Sequence, residues 1–373
     1  MAKAVYVGVG SKAHKMKKAY IGIGGKARKV KKMYIGVGGK ARLCYSAELE
    51  KVGMATALST TRYDMRAATV GKYALFAGGY ISKSSFGYSV SSSVDAYNTS
   101  LTKSTPTELS YKRCGHAAAS VGGYALFAGG ASSHNFLGYG TLVSSVDAYD
   151  ASLTRSAAHI IGATVAIGGA AVGNYALFAG GTVYSQINKD NVTSDVLAYD
   201  PSLTFTTAPL LSVARANVKG ASAVNYALFA GGRAGSFCTT VDAYNASLTR
   251  TTATALSSTK NNSAAATVGN HAIFVGNTAS ADIYDASLTK TSAAILSTAR
   301  NRLAATTVGD YAIFSGGGVA DFCDASLTRS SIGTSMTGYD MGAATIGDYA
   351  LFAGGHSGEK SVTTYDSVEV YTA

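Results

Sequence analysis

Six histidines, His14, His116, His134, His159, His271 and His356, are scattered along the chain. None stands in the HxH or HExxH spacing that sets two imidazoles on one metal. Serine and threonine are abundant, yet no Gly-x-Ser-x-Gly run offers a nucleophile elbow. The four cysteines, Cys44, Cys114, Cys238 and Cys323, lack CxxC spacing. Neither a zinc site nor a disulfide framework follows, and free thiols in a chain folded in the cytoplasm fit better. Carboxylates recur at Asp150, Asp200, Asp285 and Asp324, turn positions where the side chain bonds its own backbone. These residues predict no catalytic machinery, no metal and no cofactor. The chain reads as a binding or structural protein rather than an enzyme.

Two sets of residues are placed to bind. Arg62, Arg113, Arg215, Lys260 and Arg300 each stand 11 residues before a repeated apolar run, with Thr164 and Gly338 at the same place in two further repeats. Cations at a channel mouth suit an acidic glycan or a teichoic-acid-like polymer; a structural role inside each repeat is the other reading. The second set is aromatic, with one histidine: Tyr80, Phe86, Tyr88, His134, Phe136, Tyr139, Tyr184, Phe237 and Tyr365. They fall in long segments at 80–93, 131–145, 182–195, 233–240 and 356–367. Exposed, such rings stack on sugars or anchor a protein partner. Folded back over their neighbours, they are local core.

The elements that must hold these sets are visible as a long repeat. Tyr73-Ala-Leu-Phe-Ala-Gly-Gly79 recurs in runs beginning at Tyr124, Tyr175, Tyr226, His271, Tyr311 and Tyr349, at spacings of 51, 51, 51, 45, 40 and 38 residues. Each run is followed by a second element ending in an aromatic, such as Val94-Asp-Ala-Tyr97 or Ala320-Asp-Phe322, and six of these by a turn such as Asn98-Thr-Ser-Leu-Thr102. With an Ala-rich strand before the run and another strand after the turn, every repeat holds four strands. The small residues of the first strand suit a place near an axis. Four strands at this period make a propeller blade. The last repeat stops at its third strand, Val368-Glu-Val-Tyr371, while Leu49 to Leu58 aligns with fourth strands. An N-terminal strand would complete the last blade and leave no free edge. The expected fold is all-β: a seven-bladed β-propeller over residues 47–373, closed by that strand.

The Gly-Gly after an apolar strand, the following aromatic and the basic residue before the next first strand resemble the kelch repeat, over all seven copies. One departure is plain: kelch repeats usually carry a Trp after the Tyr, and this chain has none. Leu101, Leu153, Leu203, Leu248, Leu288 and Leu327 stand near that place and are expected to fill the blade interface. With kelch strand order, the second-to-third and fourth-to-next-blade connections share one face. All the long segments fall there, and blades five and six have almost none.

Residues 1–46 are different. Residues 1–45 hold 12 Lys or Arg and no acid, while the remainder holds 20 basic and 21 acidic residues. The formal net charge of +11 therefore belongs to a basic arm on a neutral body. Tyr6-Val-Gly-Val-Gly10, Tyr20-Ile-Gly-Ile-Gly24 and Tyr34-Ile-Gly-Val-Gly38 repeat at 14 residues, each followed by a Lys-Ala-His or Lys-Ala-Arg step. The alternation predicts three short strands, with turns at Gly24-Gly25-Lys26 and Gly38-Gly39-Lys40. So little buried surface is marginal alone and implies pairing with other chains. Tyr6, Tyr20, Tyr34, Lys12, Lys26, Arg28, Lys40 and Arg42 are the candidate docking residues. Nucleic acid is not the expected partner, since no nucleic-acid-binding motif accompanies the charge. No apolar run is long enough to span a bilayer, and no signal peptide is read at the N-terminus.

This Gly-Val-Gly-Gly-Lys-Ala-Arg style of arm, residues 3–46, resembles N-terminal segments of structural proteins from phages and prophages of Gram-positive bacteria. The resemblance implies a multimeric virion protein made in the bacterial cytoplasm: a tail, baseplate, fibre or capsid-surface component. The arm would dock on other particle subunits, and the long-loop face would meet a host-surface glycan or protein. A cellular kelch interaction scaffold and a glycan-active enzyme are the alternatives.

Overall fold

The computed structural model describes residues 6–373 except 10–11, 16–18, 24–25, 31, 38–39, 47, 85–86, 136–137, 159–161, 163, 166, 184–190, 224, 261–263 and 359–362. Every regular element among the described residues is a strand. Seven antiparallel four-stranded sheets form the blades of a propeller. In blade 1 the strands, from the axis outward, are Arg66–Val70, Tyr73–Ala77, Val94–Asn98 and Lys103–Ser104. Blades 2 to 6 repeat that order around the ring. Blade 7 pairs Gly342–Ile346, Tyr349–Ala353 and Val368–Thr372 with the N-terminal strand Glu50–Ala55. The ring is closed as the sequence predicts, so its last sheet keeps no missing outer strand.

Burial follows from the pleat. Alternate side chains of a strand point to opposite faces of its sheet, and both faces of a blade meet a neighbour. The second strand is therefore apolar throughout, as in Tyr73–Ala77 with four buried residues in succession. The buried apolar residues gather in one cluster at each of the seven interfaces between neighbouring blades. Phe76 and Tyr97 meet edge to face at 5.9 Å, and the Tyr97 hydroxyl donates to the Thr56 carbonyl at 2.7 Å, just beyond the outer strand of blade 7. Tyr149, Tyr244 and Tyr284 tie their blades back in the same way, to Thr107, Pro209 and Thr254. The repeated Tyr is thus an apolar wedge with a polar tip that bonds the preceding blade.

Register corrects one sequence assignment. Ala312 pairs with Cys323, as Ala74 pairs with Tyr97, so Cys323 takes the tyrosine position in blade 6. Phe322 lies one residue earlier and packs edge to face on Tyr311 at 5.6 Å. The fourth strands are also shorter than read: blade 1 pairs only Lys103–Ser104 there.

The six leucines do pack into the interfaces, from an unusual backbone. Leu101, Leu153, Leu203, Leu248, Leu288 and Leu327 all have φ between 58° and 65°. In the first turn the Asn98 carboxamide oxygen accepts from the amides of Ser100 and Thr102 at 2.9 and 3.0 Å, and the Leu101 amide donates to the Asn98 carbonyl at 2.9 Å. A left-handed conformation costs a non-glycine residue about 1–2 kcal/mol. Packing the side chain between two blades, as Leu101 does between blades 7 and 1, offsets it. The tight turn between first and second strands uses glycine for a further reason. Gly71 has φ +52°, and a Cβ there would sit 2.9 Å from the Cβ of Ala151 in the next blade.

In the arm each 14-residue repeat is a hairpin, giving six strands instead of three. Tyr6–Val9 pairs with Lys12–Lys15, Tyr20–Ile23 with Lys26–Lys29, and Lys32–Val37 with Lys40–Ser46. The Lys-Ala-Arg steps, read as flanks, are themselves strands. The predicted turn glycines Gly24, Gly25, Gly38 and Gly39 lie outside the described residues, flanked by the pairs Ile23–Lys26 and Val37–Lys40.

Candidate functional site: the long-loop face

The five periodic cations are drawn into the blades, away from the channel mouth where the sequence set them. Arg62, Arg113 and Arg215 have no exposed surface, and each pairs with the aspartate of its blade's third strand: Asp95, Asp147 and Asp242. Lys260 pairs with Asp282 at 3.3 Å and Arg300 with Asp321. The arrangement in blade 2 is complete. Arg113 Nη2 lies 2.7 Å from Asp147 Oδ2, and Nη1 donates to the carbonyls of Gly129 and Ser145, each at 3.0 Å. Ser110 gives the same carboxylate its amide and its hydroxyl, at 3.1 and 3.0 Å, and Arg155 closes on the other oxygen at 2.9 Å. A buried charge this well bonded is tolerated, whereas the same charge alone is costly.

The group also fastens one blade to the next. The Arg113 amide donates to Ser91 in blade 1, and its carbonyl accepts from Gly79 in blade 1 at 2.9 Å, while its side chain is anchored in blade 2. The recurring motif is Leu-Ser-x-x-Arg or Leu-Ser-x-x-Lys, seen at Leu58, Leu109, Leu211, Leu256 and Leu296, with an aspartate in the third strand and a cation in the fourth. Sequence reading found the cation and missed its partner. The signal was present: Asp follows Val or Ala in five of the seven third strands, two residues before the tyrosine position.

Two blades depart from this pattern. In blade 3 the positions of Ser, Arg, Asp and outer cation hold Ile161, Thr164, Leu197 and Phe205. In blade 7 the acid is Glu369, held by Lys51 at 2.5 Å and by the Ser335 amide at 2.9 Å; bonds from Thr334, Lys51 and Tyr371 keep its carboxyl below the ordinary range although burial works against it. Gly338 replaces the cation there.

The long loops of blades 1 and 2 fold over this face as a small sheet of their own. Tyr80–Ser84 pairs with Gly87–Val90, and Tyr88 pairs with His134, which in turn pairs with Tyr139. Tyr80 is buried; its hydroxyl lies 2.8 Å from His134 Nδ1, and its ring stacks on Tyr63 at 5.1 Å. Tyr88 stacks on His134 at 4.8 Å. Tyr63, Tyr80 and Val90 form a further apolar cluster with Cys114, Ala131 and Val165. Three of the aromatic-set residues, Tyr80, Tyr88 and His134, are therefore brought together as local core. Phe237 is 41% exposed, with the Arg233 guanidinium 5.7 Å from its ring. Tyr365 is half-buried against Gly338. Phe86, Phe136 and Tyr184 lie outside the described residues.

At the axis the face opens on a channel whose cavity is about 360 Å³ and is lined by alanines and hydroxyls such as Thr69, Ser120, Thr267 and Thr345. These hydroxyls form a belt. Thr69 donates to the Thr345 carbonyl at 2.9 Å, Ser120 to Thr69 at 2.7 Å and Ser222 to Ala171 at 2.6 Å; Thr267, Thr307 and Thr345 bond Ser222, Thr267 and Thr307 in turn. Ala171, in blade 3, is the one position with no hydroxyl to give. Around the mouth Arg66 pairs with Asp64 at 2.6 Å and His356 with Asp340 at 3.0 Å. Burial, reinforced by Arg66, holds the Lys219 ammonium below its ordinary range. Among the described residues no three His, Cys, Asp or Glu side chains converge as metal ligands would.

In the arm, Tyr6, Tyr20, Tyr34, Lys12, Lys26, Arg28, Lys40 and Arg42 all stand within the six hairpin strands, and the Tyr34 side chain is 58% exposed. Fold and site together define a class: a ring-closed seven-bladed propeller with basic hairpins N-terminal to it and its loops gathered on one face. No family model matches the chain, and no curated protein matches it.

Proposed function

We propose that this chain is a Trp-less, kelch-type propeller that serves as a non-enzymatic structural and binding component of a phage-like particle. The arm docks on other subunits of the particle, and the long-loop face meets a host-surface glycan or protein. The observation that carries the reading is the contrast in how charge is used. In the propeller the periodic cations are consumed by internal aspartates. In the arm 12 basic residues have no acid of their own within residues 1–45. Such hairpins hold too little core to be stable alone, and a neighbouring subunit would supply both surface and counter-charge.

The phage-like setting is tested by a mass-spectrometric and cryo-EM inventory of particles purified from the source strain. Stoichiometric incorporation is expected, and it is expected to be lost when residues 1–46 are deleted. Free protein in the cytoplasm, with none in particles, favours a cellular interaction scaffold instead.

A further inference from the structure

The axial channel is lopsided. The inner strands of blades 2, 3 and 4 meet backbone to backbone at two glycines. A Cβ on Gly169 would lie 2.5 Å from the Ala118 carbonyl oxygen, and one on Gly220 would lie 2.0 Å from that of Gly169. The open space lies toward blades 5, 6, 7, 1 and 2, and every residue lining it belongs to a described inner strand. Its cavity of about 360 Å³ is at the lower end of the about 300–1,000 Å³ of small-molecule pockets.

The wall of this cavity has a one-sided chemistry. The hydroxyls of Thr69, Ser120, Thr267, Thr307 and Thr345 line it, and each spends its only hydrogen on a carbonyl of the neighbouring blade. A hydroxyl whose hydrogen is used still has lone pairs, so the belt can only accept. Between the oxygens stand the methyls of Ala67, Ala119 and Ala343. A guest that fits must bring hydrogen-bond donors and a C–H surface, as a polyhydroxy compound does.

The mouth adds a positive charge. Asp64 is tied to Arg66, and Asp340 to His356 and Arg302. Lys219 heads the inner strand of blade 4, at a register that holds alanine or glycine in five blades and Arg66 in blade 1. It is half-buried and has no hydrogen-bond or ion-pair partner among the described residues. The charges that act on its ammonium are those of Arg66, Asp64 and Asp340, so it faces the blade 7 and blade 1 side of the mouth, where the cavity opens. The periodic cations are spent on aspartates; Lys219 is not.

We propose that the channel is a binding site for a sugar acid, a polyhydroxy carboxylate. Lys219 takes the carboxylate at the mouth, the ligand hydroxyls donate to the belt, and the alanine methyls pack on its C–H face. The inference goes beyond the particle role and needs no part of it.

The test is calorimetry on the full chain with D-glucuronate, using D-glucose and acetate as controls that lack the charge or the hydroxyls. Saturable binding of glucuronate is expected with a dissociation constant on the order of millimolar, and each control about tenfold weaker. Lys219→Gln is expected to weaken glucuronate about tenfold, the loss of one charge-assisted hydrogen bond. Lys219→Arg is expected to keep it, and an unchanged melting temperature in both variants shows the fold intact. Equal affinity in wild type and Lys219→Gln, acetate bound as tightly as glucuronate, or no binding at all overturns the proposal. Methyl β-D-glucuronide separates the sources of the ligand. Binding as tight as that of the free acid identifies the end of a glycan, and its loss identifies a free sugar acid. Failure here leaves the particle role standing, since incorporation into particles is read separately.

Discussion

The seam between blades 1 and 2 and the seam between blades 2 and 3 are built on the same plan with different fastenings. At the first, Arg113 reaches from the connecting segment into the Asp147 carboxylate, Ser110 caps that carboxylate, and the Ser120 hydroxyl bonds the Thr69 carbonyl at the axis. At the second, Thr164, Leu197 and Ile161 occupy the clasp positions of the sequence, and Ala171 has no hydroxyl for Ser120. What both share is the apolar interface, with Phe127 and Tyr149 at one and Phe178 and Tyr199 at the other. Hydrophobic burial is therefore common to the ring, and the polar fastenings are added to it. A polar cluster survives inside a protein only when every member is satisfied. Blade 3 lacks all four polar members together, whereas blade 7, with Gly338 in place of the cation, satisfies Glu369 through Lys51, Ser335 and Tyr371.

The largest expected effect comes from breaking one clasp. Asp147→Ala leaves Arg113 buried without its counter-ion and should cost about 3–5 kcal/mol, read as a lowered urea midpoint. The matching change in blade 3, Thr164→Ala, removes only a local bond and should cost about 1 kcal/mol or less. Equal losses at the two seams would dissolve the contrast.

Next in size is a pH effect at the first seam. His116 is fully buried, and desolvation, with Arg66 and Arg113 nearby, holds its imidazole well below the ordinary range. The unfolded state binds a proton below about pH 6.5 and the native state does not, so stability is full above that value and falls with pH below it. The slope approaches about 1.4 kcal/mol per pH unit for one proton. His134 is lowered by burial too and adds to the acid loss. His116→Leu should shallow the slope between pH 6.5 and 5 by about one proton; an unchanged slope refutes the assignment.

A smaller gain is expected from repairing the second seam. Ala171→Ser supplies the hydroxyl that the belt lacks and should add about 0.5–1.5 kcal/mol, with slower amide exchange in Gly168–Val172. Faster exchange there would show that the close packing of blade 3 on blade 2 leaves no room for the group.

The smallest prediction concerns thiols. Burial raises the thiols of Cys114 and Cys323 to about 12, while Cys238 is half-exposed. In a Cys44→Ser background, a disulfide reagent at neutral pH should modify Cys238 and leave the other two until the protein unfolds.

How much was legible depends on the distance between the residues concerned. The blade count and the closing strand follow from periodicity along the chain, and the Asp and Asn turns follow from bonds spanning two to four residues. Arg113 and Asp147 are 34 residues apart. A fixed position for the arginine reveals that it is used, and only the fold reveals by what. The loop aromatics were less legible still. Tyr80 and His134 come from different blades and meet because two loops pair as strands.

By itself, then, the sequence determined a ring of seven four-stranded units, the charge contrast between arm and body, and the residues free to vary between repeats. These are local or periodic properties, set by alternation, turn chemistry and composition. The tertiary structure decided which charges are spent and which rings are covered. It also decided how the two blades without the cation fill its place, with the Tyr365 ring against Gly338 in blade 7 and Thr164 bonded to the Gly162 carbonyl in blade 3. Those outcomes depend on desolvation and on partners brought within hydrogen-bonding distance across the ring, and neither is encoded at any single position of the chain.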